Sequence, residues 1–196
     1  YDTYRSLRLL LPLFILLFSL GACLASRLLF RRISNPFYRD MSNTDYLTQL
    51  KNRNAYQLDI GNRIAGKAQE GTGFILLDLN GLKHVNDTLG HDAGDVYITC
   101  VSKAYLNMRT REAVMYRIGG DEFVVVMPDA DRDKIQDFMR RFGDMFNREA
   151  SMPEFTFSWG YSIYDPKADA DLYSTCRRAD KNMYMRKQQY YKNKNT

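Results

Sequence analysis

The sequence is poor in the residues that build zinc centres and disulfide frameworks. Its 196 residues include only two histidines and three cysteines, Cys23, Cys100 and Cys176, which lack metal-ligand spacing. This argues against a zinc site or a disulfide scaffold and is typical of a protein in a reducing compartment, where cysteines serve packing. Heptad repeats and low-complexity segments are also missing from the sequence.

A concentrated patch of positive charge is missing as well. The net charge is +5, from 28 basic and 23 acidic residues, and the basic residues crowd only near the two ends. We therefore expect no nucleic-acid partner, whereas a soluble anion such as a nucleotide would need no such patch. Hydrophobic residues at 45% and aromatic residues at 13% indicate a globular domain and argue against disorder.

The longest uncharged run is "LLLPLFILLFSLGACLAS", which lies between Arg8 and Arg27. A run of roughly 18 such residues is in the lower range for a membrane-spanning helix. A signal peptide and a buried core helix are the alternatives, but a signal sequence has a shorter apolar region followed by a small-residue cleavage site. We predict a transmembrane helix with a short extracytoplasmic flank over residues 1–30 and a juxtamembrane linker over residues 31–44.

The arginines around this run predict its orientation. Arg5 and Arg8 precede it, and a larger set follows it: Arg27, Arg31, Arg32 and Arg39. By the positive-inside rule, the C-terminal part should lie in the cytoplasm, which predicts single-pass anchoring in the inner (cytoplasmic) membrane. Because the sequence begins at Tyr1 without a methionine, we expect it to be a fragment of a longer protein.

The remaining part, residues 45–196, reads as helix, strand, helix, helix, hairpin, helix, strand, helix. The run "FILLDL" ending at Leu79 predicts a central strand buried on both faces. The strict alternation of "FTFSWGYSI" ending at Ile163 predicts a half-buried strand. Together these elements predict an α+β fold with a mainly antiparallel central sheet flanked by helices.

The stretch "YRIGGDEFVVVM" places two glycines and two acids between strand-like runs, which predicts a hairpin. If this hairpin pairs beside the first strand, Asp121 and Glu122 meet Asp78 at one end of the sheet. A bound Mg²⁺ or Mn²⁺ would make such a cluster favourable, and two such ions can activate a hydroxyl that attacks a phosphate. Gly119 and Gly120 would leave room for a triphosphate. A purely structural acidic turn is the alternative.

Five segments in this order resemble the motifs of the GGDEF family, the diguanylate cyclases. They are "DYLTQLKNRNAY" from Asp45, "DLNGLKHVNDTLGHDAGD" from Asp78, "RIGGDEF" from Arg117, "SWGYS" from Ser158 and "ADKNMYMRK" from Ala179. The resemblance covers essentially all of the part that follows the linker, and several motifs at family spacing make it specific. It implies the palm-like fold of nucleotidyl cyclases and a GGDEF catalytic domain over residues 45–196.

The resemblance also implies a metal site and a catalytic set. Asp78 and Asp121 would hold Mg²⁺ or Mn²⁺ together with the main-chain carbonyl of Leu79. Glu122 would support the metal site or the deprotonation of the attacking hydroxyl. Lys83 would act in catalysis with Asp121 and Glu122.

The substrate site implied by the resemblance is a GTP site. Lys83 and Lys187 would contact phosphates as point charges, and Gly119 and Gly120 would lie against the triphosphate. Asn86 and Asp95 would recognise guanine, whose N1–H and amino group form a donor pair that a carboxylate accepts and that adenine does not present.

The implied reaction joins two GTP molecules into cyclic di-GMP and releases pyrophosphate, with each 3′-hydroxyl attacking the α-phosphate of the other GTP. One domain binds one GTP, so a homodimer with facing catalytic domains is expected, signalling from the membrane. A catalytically silent GGDEF module that binds GTP or a protein partner is the alternative. A membrane-anchored interaction domain without a nucleotide is a third possibility.

Four departures from the family pattern are visible. Gln49 replaces a common glycine, and Asn80 replaces a common second aspartate. "QQYYKNKN" stands where the family often has Gly-Arg-Asn, with Lys192 as an out-of-register substitute for the arginine. The inhibitory Arg-x-x-Asp positions hold Thr110 and Ala113, so no inhibitory product site is expected. The near-match of Arg109 with Glu112 is displaced by one residue, which in a strand points it to the opposite face.

Overall fold

The computed structural model describes residue 12 and residues 14–29, 43–66 and 69–194. The chain divides into two compact units, residues 1–42 and 43–196. In the first unit, residues 14–29 form a helix whose side chains are exposed. The second unit contains the sheet and the motifs singled out above.

The predicted transmembrane helix is wrong. Among the residues that the structure describes, no helix is both long enough and apolar enough to cross a bilayer. The expectations of single-pass inner-membrane localisation and of the membrane as a partner are overturned with it. Most of the predicted linker, up to residue 42, lies outside the described residues.

The second unit is an α+β domain built on five strands, and its elements are labelled in chain order. The strands are β1 (Lys51–Asn52), β2 (Gly73–Leu79), β3 (Val114–Arg117), β4 (Glu122–Met127) and β5 (Phe157–Ile163). The helices are α1 (Arg53–Ala65), α2 (Leu82–Leu89), α3 (His91–Asn107), α4 (Arg132–Glu149) and α5 (Leu172–Lys194).

The sheet has the strand order β1-β3-β4-β2-β5. β4 pairs antiparallel with β2 and β3, and β5 pairs antiparallel with β2, but β1 runs parallel to β3. The sheet is therefore mixed and not mainly antiparallel as predicted. The prediction missed β1 because a strand of two residues has no alternation that a sequence pattern can show.

Strand β2 is buried along its whole length, which confirms the prediction of a central strand covered on both faces. One face packs against α2, α3 and α4, with Phe138 and Phe142 among its fully buried side chains. The other face packs against α1 and α5 around Phe74 and Leu76. Even-numbered residues of β2, including Asp78, belong to this second face because side chains alternate along a strand.

Helix α5 lies directly on strand β5. Along β5 the small residues Ser158, Gly160 and Ser162 are buried, whereas the aromatic side chains between them are only partly buried. A Cβ atom added to Gly160 would lie 2.1 Å from the main-chain nitrogen of Met183 on α5. The alternating sequence correctly predicted a half-buried strand. The more buried face is the small-residue face, because the helix backbone approaches the strand there.

Side chains of α5 also cover the outer edge of β5, the last strand of the described sheet. Arg178 Nη2 donates to the carbonyl of Ile163 (2.7 Å), Asn182 Nδ2 to that of Tyr161 (2.9 Å) and Arg186 Nη1 to that of Trp159 (3.2 Å). We call these three side chains the edge ladder. They satisfy carbonyl groups that could otherwise template pairing with another chain.

The close approach at Gly160 generates a stability prediction. In Gly160→Ala the new methyl group meets main-chain atoms, which cannot move aside as a flexible side chain could. We expect a loss of about 1–3 kcal/mol in the free energy of unfolding, measured by urea denaturation. Gly143→Ala in α4 is the matched control, because its Cβ would meet nothing within 4 Å. Equal stabilities of the two variants would contradict the prediction.

Candidate active site

Three acidic residues lie together at one end of the sheet. Asp78, near the end of β2, stands opposite Glu122 at the start of β4. The main-chain N–H of Leu79 donates to the carbonyl of Asp121 at 3.2 Å. Asp78 is only 6% exposed, whereas the Glu122 side chain is open to solvent. The hairpin thus pairs beside β2, and the structure brings together the acids that the sequence singled out.

The Asp78 carboxylate forms an ion pair with the ammonium group of Lys187 on α5. Burial raises the pKa of Asp78 above its ordinary value; the Lys187 charge opposes this shift, and the charges of Asp121 and Glu122 add to it. Burial by itself would lower the pKa of Lys187, but the hydrogen bond to Asp78 and its charge outweigh burial and raise it. Lys187 is therefore firmly protonated and supplies the positive charge that a buried carboxylate requires.

The chemistry of this site suits a hard cation that also binds a phosphate-bearing ligand. Within the described residues, no group of three histidine, cysteine, aspartate or glutamate side chains lies close enough to hold a metal alone. Mg²⁺ is usually bound by one or two carboxylates, with water and phosphate oxygens completing its shell. Asp78 and Asp121 fit this incomplete set. The metal-binding roles of Asp78, Asp121, Glu122 and the Leu79 carbonyl all stay predictions.

The hairpin turn is held by Arg117. Its guanidinium donates to the carbonyl of Gly120 (2.8 and 3.3 Å) and to the carboxylate of Asp45 (3.0 and 3.3 Å). Burial raises the pKa of Asp45, but hydrogen bonds from Thr48 and Arg117 outweigh it and hold that pKa below its ordinary value. The first motif of the chain is thereby fastened to the acidic hairpin. The sequence patterns that mark the two segments do not indicate this contact.

The two glycines of the turn differ in their surroundings. A Cβ at Gly119 would lie 2.6 Å from a carboxylate oxygen of Glu122, whereas a Cβ at Gly120 would meet nothing within 4 Å. The bare backbone at Gly119 therefore makes room for the acid three residues later. The open space at Gly120 is compatible with the predicted room for a triphosphate, which stays a prediction.

Two departures from the family pattern have visible consequences. Gln49 takes the left-handed conformation (φ 59°) that glycine adopts without strain, and its Nε2 donates to the carbonyl of Tyr46 at 2.7 Å. Asn80 is buried, and its side-chain carbonyl accepts from Ser158 Oγ at 2.8 Å, while Tyr97 OH donates to its main-chain carbonyl at 3.0 Å. Asn80 thus fixes the loop after β2 to β5 and α3.

The C-terminal departure places a tyrosine next to the same loop. The hydroxyl of Tyr191 accepts a hydrogen bond from the main-chain N–H of Gly81 at 3.0 Å. Tyr191 follows Lys187 by four residues, so both lie on one face of α5. Lys192 was the residue expected to matter at this end, but the contact with the loop is made by Tyr191.

The predicted guanine-reading residues lie at the junction of α2 and α3. Asn86 is on α2, and Asp95 is exposed in the first turns of α3, directly after the buried Gly94. A Cβ at Gly94 would lie 1.8 Å from Oδ1 of Asn86, so the Asn86 amide rests against the backbone that carries Asp95. Lys83 is exposed on the first turn of α2. The roles of these residues toward a nucleotide stay predictions.

The chain also matches a known protein family. Residues 42–193 match the model of the family described as "Diguanylate cyclase, GGDEF domain". The chain belongs to this family, which confirms the resemblance seen in its motifs.

Similar proteins carry more than one activity in their names. The "Probable diguanylate cyclase DgcJ" of Escherichia coli (strain K12) is 31% identical over 83% of this chain and 32% of its own length. The "Cyclic di-GMP phosphodiesterase PdeR" of the same organism is 31% identical over 76% of this chain and 23% of its own length. The chain thus spans about a third or less of the length of these two relatives.

A solved structure shares the fold. The coiled coil and GGDEF domain of DgcB from Caulobacter crescentus, in complex with c-di-GMP, is 27% identical with a TM-score of 0.69. The similarity covers 87% of this chain and 95% of that one.

The Arg117–Asp45 pair generates a prediction about stability. We expect Arg117→Met to lower the free energy of unfolding by about 1.5–3 kcal/mol in urea denaturation, because hydrogen bonds to charged groups are lost from a site where both side chains are largely buried. Since the pKa of Asp45 in the folded state lies below its ordinary value, the stabilisation from this pair is complete at neutral pH and is lost as the pH falls through the folded pKa.

Arg140→Met is the matched control, because Arg140 is 65% exposed and also pairs with an aspartate. Such surface pairs contribute about 0–1 kcal/mol. Equal losses in the two variants at neutral pH would contradict a special role for Arg117.

Proposed function

We propose that this domain is a diguanylate cyclase that joins two GTP molecules into cyclic di-GMP and releases pyrophosphate. The observation that carries the proposal is the convergence of Asp78, Asp121 and Glu122 at one end of the sheet, with Lys187 paired to Asp78. Membership in the GGDEF family supports the reaction class. That a whole protein containing this domain has the same activity is likewise a proposal.

In this proposal, Asp78, Asp121 and the Leu79 carbonyl would hold Mg²⁺ or Mn²⁺ with support from Glu122, and the bound cation would supply neutralisation of phosphate charge and a lowered pKa for the attacking hydroxyl. Lys83 and Lys187 contact the phosphates. When Lys187 leaves Asp78 to contact a phosphate, the cation would become the partner of Asp78 and the phosphate the partner of Lys187. Neither charged group is then left buried and unpaired.

The chemical step forms a bond between a ribose 3′-oxygen and the α-phosphorus of the other GTP. The bond from that phosphorus to the pyrophosphate leaving group breaks, and the hydroxyl proton passes to Glu122 or to water. Phosphoryl transfer depends mostly on positioning and charge stabilisation. Because each domain supplies one GTP, two domains must face each other with two-fold symmetry, and the isolated monomer should be inactive.

A catalytically silent GGDEF module is the second candidate. Its specific support is the similarity to a protein that is named as a phosphodiesterase, so a segment of this kind occurs in a protein whose named activity is the degradation of cyclic di-GMP. The C-terminal stretch that ends the domain also departs from the family pattern, so weaker phosphate binding at that end is expected. Direct measurement of the product separates the two candidates.

The first test is the incubation of the protein with GTP and Mg²⁺, followed by chromatographic detection of cyclic di-GMP. We expect Asp121→Asn to abolish turnover, because the substitution keeps the shape of the side chain and removes the charge that would hold the cation. Thermal melting should show that the fold is retained.

Asp144→Asn on α4 is the control for this test, because Asp144 is 60% exposed and lies in another element. Its turnover should match that of the unsubstituted protein. Product formation by Asp121→Asn at the unsubstituted rate in saturating Mg²⁺ would contradict the metal assignment. Absence of product from the unsubstituted protein, with GTP still bound, would favour the silent module.

The region before the hairpin bears on control by the product. The Glu112 carboxylate accepts from Arg141 Nη2 at 2.7 Å, and Arg141 also donates to Asp137 at 2.9 Å. Ala113 is buried at 3% exposure. Arg109 lies in a turn with φ 47° and is not paired with Glu112. The near-match pair is therefore not assembled, because Glu112 is engaged by α4.

We accordingly expect that micromolar cyclic di-GMP leaves the initial rate nearly unchanged, as measured by pyrophosphate release. Recognition of a phosphate by arginine depends on direction as well as charge. Thr110 and Ala113, which stand at the matching positions, carry neither a guanidinium group nor a charge. Calorimetry that shows a tight site for cyclic di-GMP, lost in Arg109→Ala and retained in Asp95→Ala, would overturn this expectation.

A further inference from the structure

Gly94 leaves a space that the side chain of Asn86 fills. An ideal Cβ at Gly94 would lie 1.8 Å from Oδ1 and 2.9 Å from Cγ of Asn86. Real Cβ atoms do not approach other atoms this closely. The observed position of the Asn86 amide is therefore available only while residue 94 is glycine.

The backbone around this contact has little freedom to move apart. A single residue, Gly90, joins α2 to α3, and its N–H donates to the main-chain carbonyl of Asn86 at 3.0 Å. Val85 on α2 and Tyr97 on α3 are buried in the same core cluster. A methyl group at position 94 would therefore move the Asn86 side chain and leave the helices in place.

Packing, and not hydrogen bonding, holds the Asn86 amide. Across the described residues, the structure shows no hydrogen bond to either polar atom of this side chain, which is partly exposed. An amide has two N–H donors and a carbonyl acceptor, and all are available to a ligand. A polar group that packing alone orients, with its bonding capacity unused, is suited to the recognition of a base edge.

We propose that Gly94 is a positioning residue that sets the Asn86 amide for recognition of the guanine base. This inference rests on the proposed function, in which Asn86 and Asp95 recognise guanine. Its distinct content is that Gly94 acts only through Asn86. The close approach of Asn86 to the backbone at residue 94 then contributes to base selectivity.

The experiment measures binding without turnover. The probes are 3′-deoxy-GTP and 3′-deoxy-ATP with Mg²⁺, which lack the attacking hydroxyl, and calorimetry gives the dissociation constants. We expect Gly94→Ala to weaken 3′-deoxy-GTP binding roughly two- to twelvefold, the value of one hydrogen bond. The affinity for 3′-deoxy-ATP should change by less than about twofold, since adenine presents a different edge.

A double-mutant cycle provides the decisive readout. Asn86→Ala should weaken 3′-deoxy-GTP binding to a similar extent, and adding Gly94→Ala to it should cause no further loss, because the displaced atoms are already gone. The matched control is Gly143→Ala in α4, another helical glycine whose Cβ would meet nothing within 4 Å. It should leave both affinities unchanged.

A readout that needs no nucleotide accompanies the cycle. In the amide NMR spectrum, the side-chain NH₂ signals of Asn86 should shift in Gly94→Ala, while the melting temperature stays the same or rises because alanine favours helix over glycine. Unmoved Asn86 signals, or a marked drop in melting temperature, would overturn the proposal.

The possible outcomes distinguish a failure of the positioning role of Gly94 from a failure of the proposed guanine recognition. If the unsubstituted protein prefers 3′-deoxy-GTP but the two substitutions are additive, Gly94 acts by another route and the positioning role fails alone. If the unsubstituted protein shows no preference for 3′-deoxy-GTP over 3′-deoxy-ATP, guanine recognition fails and the positioning role fails with it.

Discussion

The ion pair between Asp78 and Lys187 is the constraint on which the rest of the domain depends. A carboxylate at the end of a strand buried on both faces cannot stay charged without a compensating partner, and burial already raises the pKa of Asp78. The partner comes from α5, more than one hundred residues later in the chain. Helix α5 must therefore cross the sheet at one height and one rotation, or the acidic end of the sheet loses its counter-charge.

Gly160 is what allows α5 to meet this requirement. Its missing side chain lets the backbone of α5 approach β5 at Met183, one helical turn before Lys187. The same docking brings Tyr191 to the loop at Gly81. One helix position thus accounts for the close packing on the small residues of β5, the pairing of the buried carboxylate and the contact with the loop. It also explains why the larger aromatic face of β5 is the less buried one.

Much of the domain could be predicted because its signals are local. The continuous apolar run of β2, the hairpin around Gly119 and the acids beside it follow from the residue pattern. Strand β1 could not be predicted, since its two residues pair with β3 only after the chain has folded. The apolar run near the N-terminus predicted a span, whereas none of the described helices is long and apolar enough to cross a bilayer. The contacts of Arg117 with Asp45 and of Asn86 with Gly94 could not be predicted, because no periodic pattern in the sequence indicates that these residues meet.

The edge ladder joins a helix and a strand whose repeat lengths differ. Four residues of a helix rise about 6.0 Å, whereas two residues of an antiparallel strand rise about 6.8 Å. Successive rungs are therefore offset by about 0.8 Å along the strand, although all three donor–acceptor distances, 2.7, 2.9 and 3.2 Å, stay within hydrogen-bonding range. The shorter asparagine stands at the centre of the ladder and the two longer arginines at its ends, where the offset from the centre is largest. A helix that seals a strand edge in this way needs long, flexible donors away from the point of closest match.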